Sequence, residues 1–259
     1  MKISKIILYD EPTVPEIQLE RLGEFLKETF PVKVEIRDSF IQEVDAKILD
    51  KISNTQIFDL KKPFDKQPQT EKEIQFKQEN QDMSSKEELI LYDGFKIQNE
   101  FAEAIPAIEN NENTFHVIFT NKLLCTFEED GFRYHARALI GSNPTIISTT
   151  GMIEAPAKPK QYYLDVMTNF PQEKADNIKE KYGGMFLEYK DVRLADIAEG
   201  YLLQAITYYE TGEEFCKDKN CRLFNAHWQE DLLSTQVENK KLCKTHFKIL
   251  KRLREQSSP

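Results

Sequence analysis

Basic charge is in short supply in this chain. Its 35 lysines and arginines stand against 44 aspartates and glutamates, a formal net charge of −9 over 259 residues. Phosphate polymers are held by clustered excess cations, so this balance excludes nucleic acid as an expected partner. Long apolar runs are missing too. The N-terminal segment MKISKIILYDEPTVP offers only Ile6, Ile7, Leu8 and Tyr9 in succession before Asp10 and Glu11. That is too short for a signal h-region or a bilayer span of about 20 residues, and the expectation is a cytoplasmic protein with no membrane partner. Glycine-rich phosphate loops (G-x-x-x-x-G-K-[ST], G-x-G-x-x-G) and the G-x-S-x-G elbow do not occur, which removes the sequence basis for a nucleotide enzyme or a serine hydrolase. Cysteine is scarce: Cys125, Cys216, Cys221 and Cys243. A secreted protein could pair them as two disulfides, but without an export signal, metal binding or free thiols are favoured.

What is present fits a folded domain. Hydrophobic residues make up 40% and charged residues 31%, a composition that can bury a core, and 259 residues suit one large domain over residues 1–259. KISKIILYD and VKVEIR read as strands, and PEIQLERLGEFLKETF between them as an amphipathic helix opened by Pro15. IQEVDAKILDKIS reads as a second helix. Residues 61–88 are dominated by Lys, Gln and Glu and read as a solvated surface insertion or mobile loop. Beyond LILYDGFKIQNEFAEAI, the stretches TFHVIFTN, FRYHARALI and PTIISTTGMI are β-rich and separated by turn residues, predicting a mixed sheet. From Tyr162 the pattern turns helical. The fold class is α/β: a mixed twisted sheet with covering helices and a helical C-terminal part.

The C-terminal part holds the densest chemistry. Cys216, Cys221, Cys243 and His246 give C-x4-C-x21-C-x2-H, two short-spaced pairs of the kind that grip a tetrahedral Zn²⁺. Four protein donors leave no open position, so the prediction is one structural zinc held by these residues in a segment over about 213–250. A Cys216–Cys221 disulfide and a chance cluster of buried thiols are the competing readings. His227 could replace His246 as fourth donor. His246 is preferred because it follows Cys243 by three residues at the opening of a helix, where both can face one ion. Cys125, in KLLCTF, reads as core.

Together with the preceding helix, this region resembles the C-terminal end of the archaemetzincin family of zinc metalloproteases. In that family the catalytic H-E-x-x-H-x-x-G-x-x-H is followed directly by a cysteine, then C-x4-C spacing, a methionine turn and a later C-x2-C pair completing a second zinc site. Setting the first of those cysteines on Cys216 aligns residues 205–215, AITYYETGEEF, with the catalytic motif without gaps, and the motif glycine falls on Gly212. Leu223 then stands for the methionine and His246 for the last cysteine. The three catalytic ligand positions hold Ala205, Tyr209 and Phe215, and the general-base position holds Ile206. Alanine, phenylalanine and isoleucine have no donor atom, and a lone tyrosine with a pKa near 10 is a poor zinc ligand at neutral pH. The resemblance is strongest over residues 190–250 and weaker over 114–160. It implies a metzincin-like fold without the hydrolytic machinery, a pseudoenzyme that acts by binding a peptide or protein.

The same helix, taken without the family, carries an apolar stripe through Leu194, Ala198, Tyr201, Ala205, Tyr208 and Tyr209, as packing helices do. The alternative reading is an active zinc-dependent hydrolase with relocated ligands, drawn from His116, His135 or His227 with a glutamate such as Glu199, Glu210, Glu213 or Glu214. His116 and His135, in strand-like sequence, are themselves expected to be satisfied by hydrogen bonds.

Overall fold

The computed structural model describes residues 1–61, 89–168 and 175–255. Strand β1 (Lys5–Tyr9) leads through a 3-10 turn (Pro15–Ile17) into helix α1 (Leu19–Thr29) and strand β2 (Lys33–Arg37). The helix predicted from Pro15 is interrupted at Gln18, whose φ of 52° is left-handed. The helix predicted over 41–53 is likewise two pieces, α2 (Phe40–Glu43) and α3 (Ala46–Ser53). Val44 is extended, and the Asp45 carboxylate caps α3 by accepting the Lys47 and Ile48 N–H groups. The polar stretch 61–88 lies outside the described residues except for Lys61.

Strand β3 (Gln56–Ile57) precedes β4 (Leu91–Asp93), helix α4 (Gly94–Ala104) and β5 (Thr114–Thr120). Then come β6 (Leu123–Glu128), β7 (Arg133–Arg137), β8 (Leu139–Ile140) and β9 (Thr145–Ser148). Instead of one mixed sheet there are two. The larger has the order β2-β1-β5-β9-β8, parallel except for the β8–β9 pair. The smaller is β3-β4-β6-β7, in which only the β4–β6 pair is parallel. β6, the strand around Cys125, was not among the predicted β stretches. Half of the predicted strand PTIISTTGMI is helix α5 (Thr149–Glu154), begun where the Ser148 hydroxyl accepts the Gly151 N–H at 2.8 Å.

Period-two alternation divides the core between the two faces of the larger sheet. Ile6, Leu8, Phe115, Val117 and Phe119 face one side, with α1. Ile7, Tyr9 and Ile118 face the other, with Ile97 and Phe101 of α4 and with Tyr92 and Leu124 of the smaller sheet. Both faces being covered explains why β1 and β5 are apolar almost throughout. Helices α6 (Lys160–Thr168), α7 (Ala175–Tyr182) and α8 (Leu194–Thr211) follow. The predicted stripe on α8 is too narrow: from Leu194 to Thr207 every residue except the half-buried Asp196 is buried, while Tyr208 is exposed. The chain closes with α9 (Gln229–Leu233), a π turn (Ser234–Asn239) and α10 (Lys244–Glu255). Leu223, Leu232, Leu233, Ile249 and Leu253 of this tail join the core on the α8 side. The mixed α/β architecture is as predicted. Among the described residues no helix is long and apolar enough to cross a membrane.

Candidate metal centre

Gly212 ends α8 with φ 73°, its N–H donating to the Tyr208 carbonyl at 2.7 Å. This left-handed exit favours glycine and turns the chain toward Cys216. There the Cys216 N–H donates to the Leu223 carbonyl and the Asn225 N–H to the Cys216 carbonyl, closing a tight knuckle that carries Cys221. The Arg222 N–H donates to the Lys241 carbonyl at 2.6 Å and joins the knuckle to the strand entering α10. Cys243 and His246 follow, on the threshold and first turn of that helix.

These folds bring Cys216, Cys221, Cys243 and His246 together, with one donor atom from each inside a span of 4.8 Å. Cys216 Sγ lies 4.0 Å from Cys243 Sγ. His246 Nδ1 lies 3.6 Å from Cys221 Sγ and 3.2 Å from Cys243 Sγ. A tetrahedron built on Zn–S of about 2.3 Å and Zn–N of about 2.0 Å has S···S edges near 3.8 Å and S···N edges near 3.5 Å, so the cluster has the right size. All four cysteines of the chain are free thiols, and the alternative Cys216–Cys221 disulfide is not formed. His227 is exposed and stands apart from the cluster, holding the Ala157 N–H with its backbone carbonyl.

The electrostatics of the four donors suit a cation. Burial pushes the Cys221 thiol up to about 12 and raises Cys216 above its ordinary value. Burial opposes ionisation of Cys243 as well, but hydrogen bonds led by the His246 N–H outweigh it and hold that thiol below its usual range. Backbone N–H groups point at sulfur elsewhere too: Asp218 at Cys216 and Cys243 at Cys221, each at 3.4 Å. Such donors stabilise thiolates, yet buried sulfurs this close need a positive ion to ionise together. With His246 Nδ1 turned to the sulfurs, its buried Nε2 has no hydrogen-bond partner, and the nearest carboxylate is Glu213 Oε2 at 3.7 Å. A carboxylate behind the second ring nitrogen fixes the tautomer of a ligating histidine. Cys125 is 2% exposed in the core, its thiol also raised to about 12 by burial.

A network that the spacing of cysteines does not reveal lies beneath the knuckle. The buried Arg222, next to Cys221, donates to Glu199 Oε2 at 2.8 Å and to the Asp196 carbonyl at 2.9 Å. Arg21 of α1 donates to Glu199 Oε1 at 2.8 Å and also pairs with the Asp196 carboxylate, which Lys240 meets at 2.7 Å. Two carboxylates one helical turn apart on α8 thus tie α1, the knuckle and the approach to α10 into one body.

The positions aligned with the catalytic motif are used for packing. Ala205 and Ile206 are fully buried. Tyr209 lies against Phe115, ring centroids 5.0 Å apart, and donates its hydroxyl to the Glu112 carbonyl at 3.1 Å. Phe215 packs on the α8 side of the core. Glu210 accepts the Lys2 and Ile3 N–H groups through its two oxygens, Glu199 is occupied by arginines, and Glu214 is exposed. His116 is buried between the Tyr9 hydroxyl and the Glu109 carbonyl, each 3.1 Å from a ring nitrogen, and burial lowers its pKa. His135 faces Glu128 at 3.4 Å. Among the described residues, the Cys216–Cys221–Cys243–His246 group is the only convergence of three or more His, Cys, Asp or Glu donors.

No curated protein matches the sequence. Among solved structures, a zinc-dependent peptidase from Methanocorpusculum labreanum (strain Z) aligns at 13% identity over 95% of this chain and 100% of its own, with a TM-score of 0.47. A family profile described as "Probable metallopeptidase family (DUF6775)" matches residues 2–253. With that match running through both sheets and the whole cysteine cluster, the chain belongs to this probable metallopeptidase family.

Proposed function

We propose that this chain is a divergent, archaemetzincin-like member of its family that holds one structural zinc on Cys216, Cys221, Cys243 and His246 and acts by binding a peptide or protein, without hydrolysing it. The observation that carries the reading is the closure of those four donors on one point. Bound there, zinc supplies a cross-link between the knuckle and α10, with no coordination position left for water or substrate. The chain's own residues do the rest: the N–H groups of Asp218, Cys243 and His246 stabilise the thiolates. Support for a loss of hydrolysis comes from the motif frame, where Ala205, Ile206 and Phe215 offer neither ligand nor base. The surface offered to a ligand is an open groove of about 850 Å³ beside the cluster, lined by residues that include Glu214, Phe215, Lys217, Asp218 and Leu242. The protein is taken to work in the cytoplasm, without nucleic acid or membrane.

Metal analysis of untagged protein tests the reading directly. One zinc per chain is expected, together with no cleavage across a broad peptide library. Two zincs per chain, or chelator-sensitive hydrolysis abolished by Glu-to-Gln changes between residues 199 and 214, would establish instead a hydrolase with relocated ligands.

A further inference from the structure

The scarcity of basic charge is an average that conceals a local reversal. From Lys240 to Arg254 the sequence KKLCKTHFKILKRLR carries seven cations and no carboxylate, in a chain of net charge −9. Some of these cations are occupied: Lys240 by Asp196, Lys251 by Glu255, and Arg254 by the Thr29 carbonyl. Lys244, Lys248 and Arg252 have no ion-pair partner among the described residues, and all three line one depression whose floor is Ile249 and whose near end is Glu213. That depression is continuous with the groove beside the metal cluster, sharing Glu213, Lys244 and Thr245 with it. The opposite face of α10 is already spent, with His246 and Leu253 buried in the protein.

We infer that this row is a docking strip for an extended acidic peptide, with carboxylates at alternate positions meeting Lys244, Lys248 and Arg252. This deepens the peptide-binding reading above and rests on it. The three cations are spaced i, i+4, i+8, which along a helix of 1.5 Å rise sets them about 6 Å apart in one gently inclined row. An extended chain repeats same-side residues every 6.4–6.8 Å or so, which long side chains reconcile without strain. A nucleic-acid strand presents a phosphate about every 3.4 Å of helix axis, so its charges are spaced more closely than the cations of this row. A membrane surface would require a broad apolar face turned outward on the same helix, and here Phe247 is the large apolar side chain exposed while Ile249 and Leu253 are buried. The strip is therefore narrow, singly cationic and flanked by acid, as suits a short peptide of spaced carboxylates.

The test uses the full chain and a fluorescein-labelled octapeptide alternating Glu with Thr, read by anisotropy at low salt. The comparison probes are the same peptide with Gln for Glu, a single-stranded oligothymidylate and phosphatidylserine vesicles. The Glu peptide should bind roughly tenfold to a hundredfold more tightly than the Gln peptide, the span expected of about three exposed charge pairs. The triple variant K244E/K248E/R252E should lose that preference, while K27E/K33E/K47E, with the same change in net charge, should keep it. Equal binding of the Gln peptide, tighter binding of the oligonucleotide or vesicles, or an unchanged preference in the triple variant would each overturn the inference. Zinc per chain is measured in every sample. A normal zinc content with no preference for Glu defeats the docking strip alone, and wild-type protein without zinc defeats the metal reading.

Discussion

Glu199 looks like a candidate for chemistry, a buried carboxylate near the cysteine cluster, but its contacts assign it a mechanical task that a double-mutant cycle can measure. Its side chain and that of Arg222 are 9% and 6% exposed, and they meet at 2.8 Å. In Glu199→Leu the Arg222 guanidinium stays buried with no carboxylate partner, keeping the Asp196 carbonyl and the Phe25 ring 5.6 Å away, and stranding a buried charge costs about 3–5 kcal/mol. In Arg222→Met the surviving carboxylate keeps its 2.8 Å contact with Arg21, which reaches solvent, so the loss should be smaller, about 1–3 kcal/mol. The double variant E199L/R222M removes both charges and should cost no more than R222M alone, because a buried pair replaced by apolar groups is close to neutral. The two single losses would then fail to add by at least the E199L loss itself, about 3 kcal/mol or more. At about 2–4 °C per kcal/mol for a chain of this size, E199L should melt about 6–20 °C below wild type. Urea unfolding of the four proteins, each zinc-loaded, gives the cycle. Additive losses, or E199L no worse than R222M, would refute the account of Glu199 as the anchor of the knuckle. The cycle also guards against a misreading: a Glu-to-Gln scan that finds Glu199 sensitive would be reporting a loosened fold.

Cys243→Ser removes one of the four donors and the acceptor of the His246 N–H. Since apparent binding energies of about 10–16 kcal/mol are coupled to folding in such sites, the variant should emerge without zinc and with proteolysis-sensitive residues beyond Gly212; full zinc content at an unchanged Tm would contradict the structural role. Cys125 supplies a pH signature. Its thiol is raised from an ordinary 9.0 to about 12 by burial, so its stabilising contribution is complete below pH 9 and drains away as pH climbs toward 12. Relative to Cys125→Val, wild type should lose about 2 kcal/mol more between pH 8 and 10.5, and parallel profiles would rule this out. Two glycines should respond differently to alanine. At Gly212 an added Cβ meets nothing within 4 Å but suffers φ 73°, for a cost of about 1 kcal/mol. At Gly200 it would stand 1.6 Å from Gln236 Oε1, and the required repacking should cost more, about 1–3 kcal/mol; the reverse order in denaturant titrations would be evidence against this packing.

Most of what was legible in the sequence was short in range. Alternation identified β2, while β1 and β5 were legible from their β-branched and aromatic content, since a strand covered on both faces reads as an apolar run. The convergence of Cys216, Cys221, Cys243 and His246 was legible from spacing, because two short-spaced pairs can each turn both side chains to one point. Gly212 was legible because a left-handed helix exit selects glycine. The errors came where a contact partner lay far away in sequence. Nothing local distinguishes β6 from any other apolar run; it becomes a strand by pairing with β4 and β7. Thr149 and Thr150 continue a β-like run, yet they begin a helix because Ser148 caps it and each hydroxyl finds a carbonyl, of Thr120 and Asn121, at the end of β5. The stripe on α8 was drawn too narrow because its polar members, Glu199 and Gln204, are buried among residues distant in sequence.

The same logic bears on the proposed docking strip, whose charge runs against the acidic total. Salt largely screens the field of the net charge beyond a Debye length, about 8–10 Å at ordinary ionic strength, whereas a docking groove is felt within one or two side-chain lengths. At that range the relevant quantity is the unpaired charge on a single helix face. Arg21 is neutralised by Asp196 and Glu199, and Lys51 by Glu100 and Glu103, so their positive charge does not reach a ligand. Lys244, Lys248 and Arg252 lie side by side around one depression without such partners among the described residues, and the turn before them, which carries Cys243, leads into the helix that presents them. A partner is then selected by the spacing of its own charges along that row, a property that the net charge of neither molecule records.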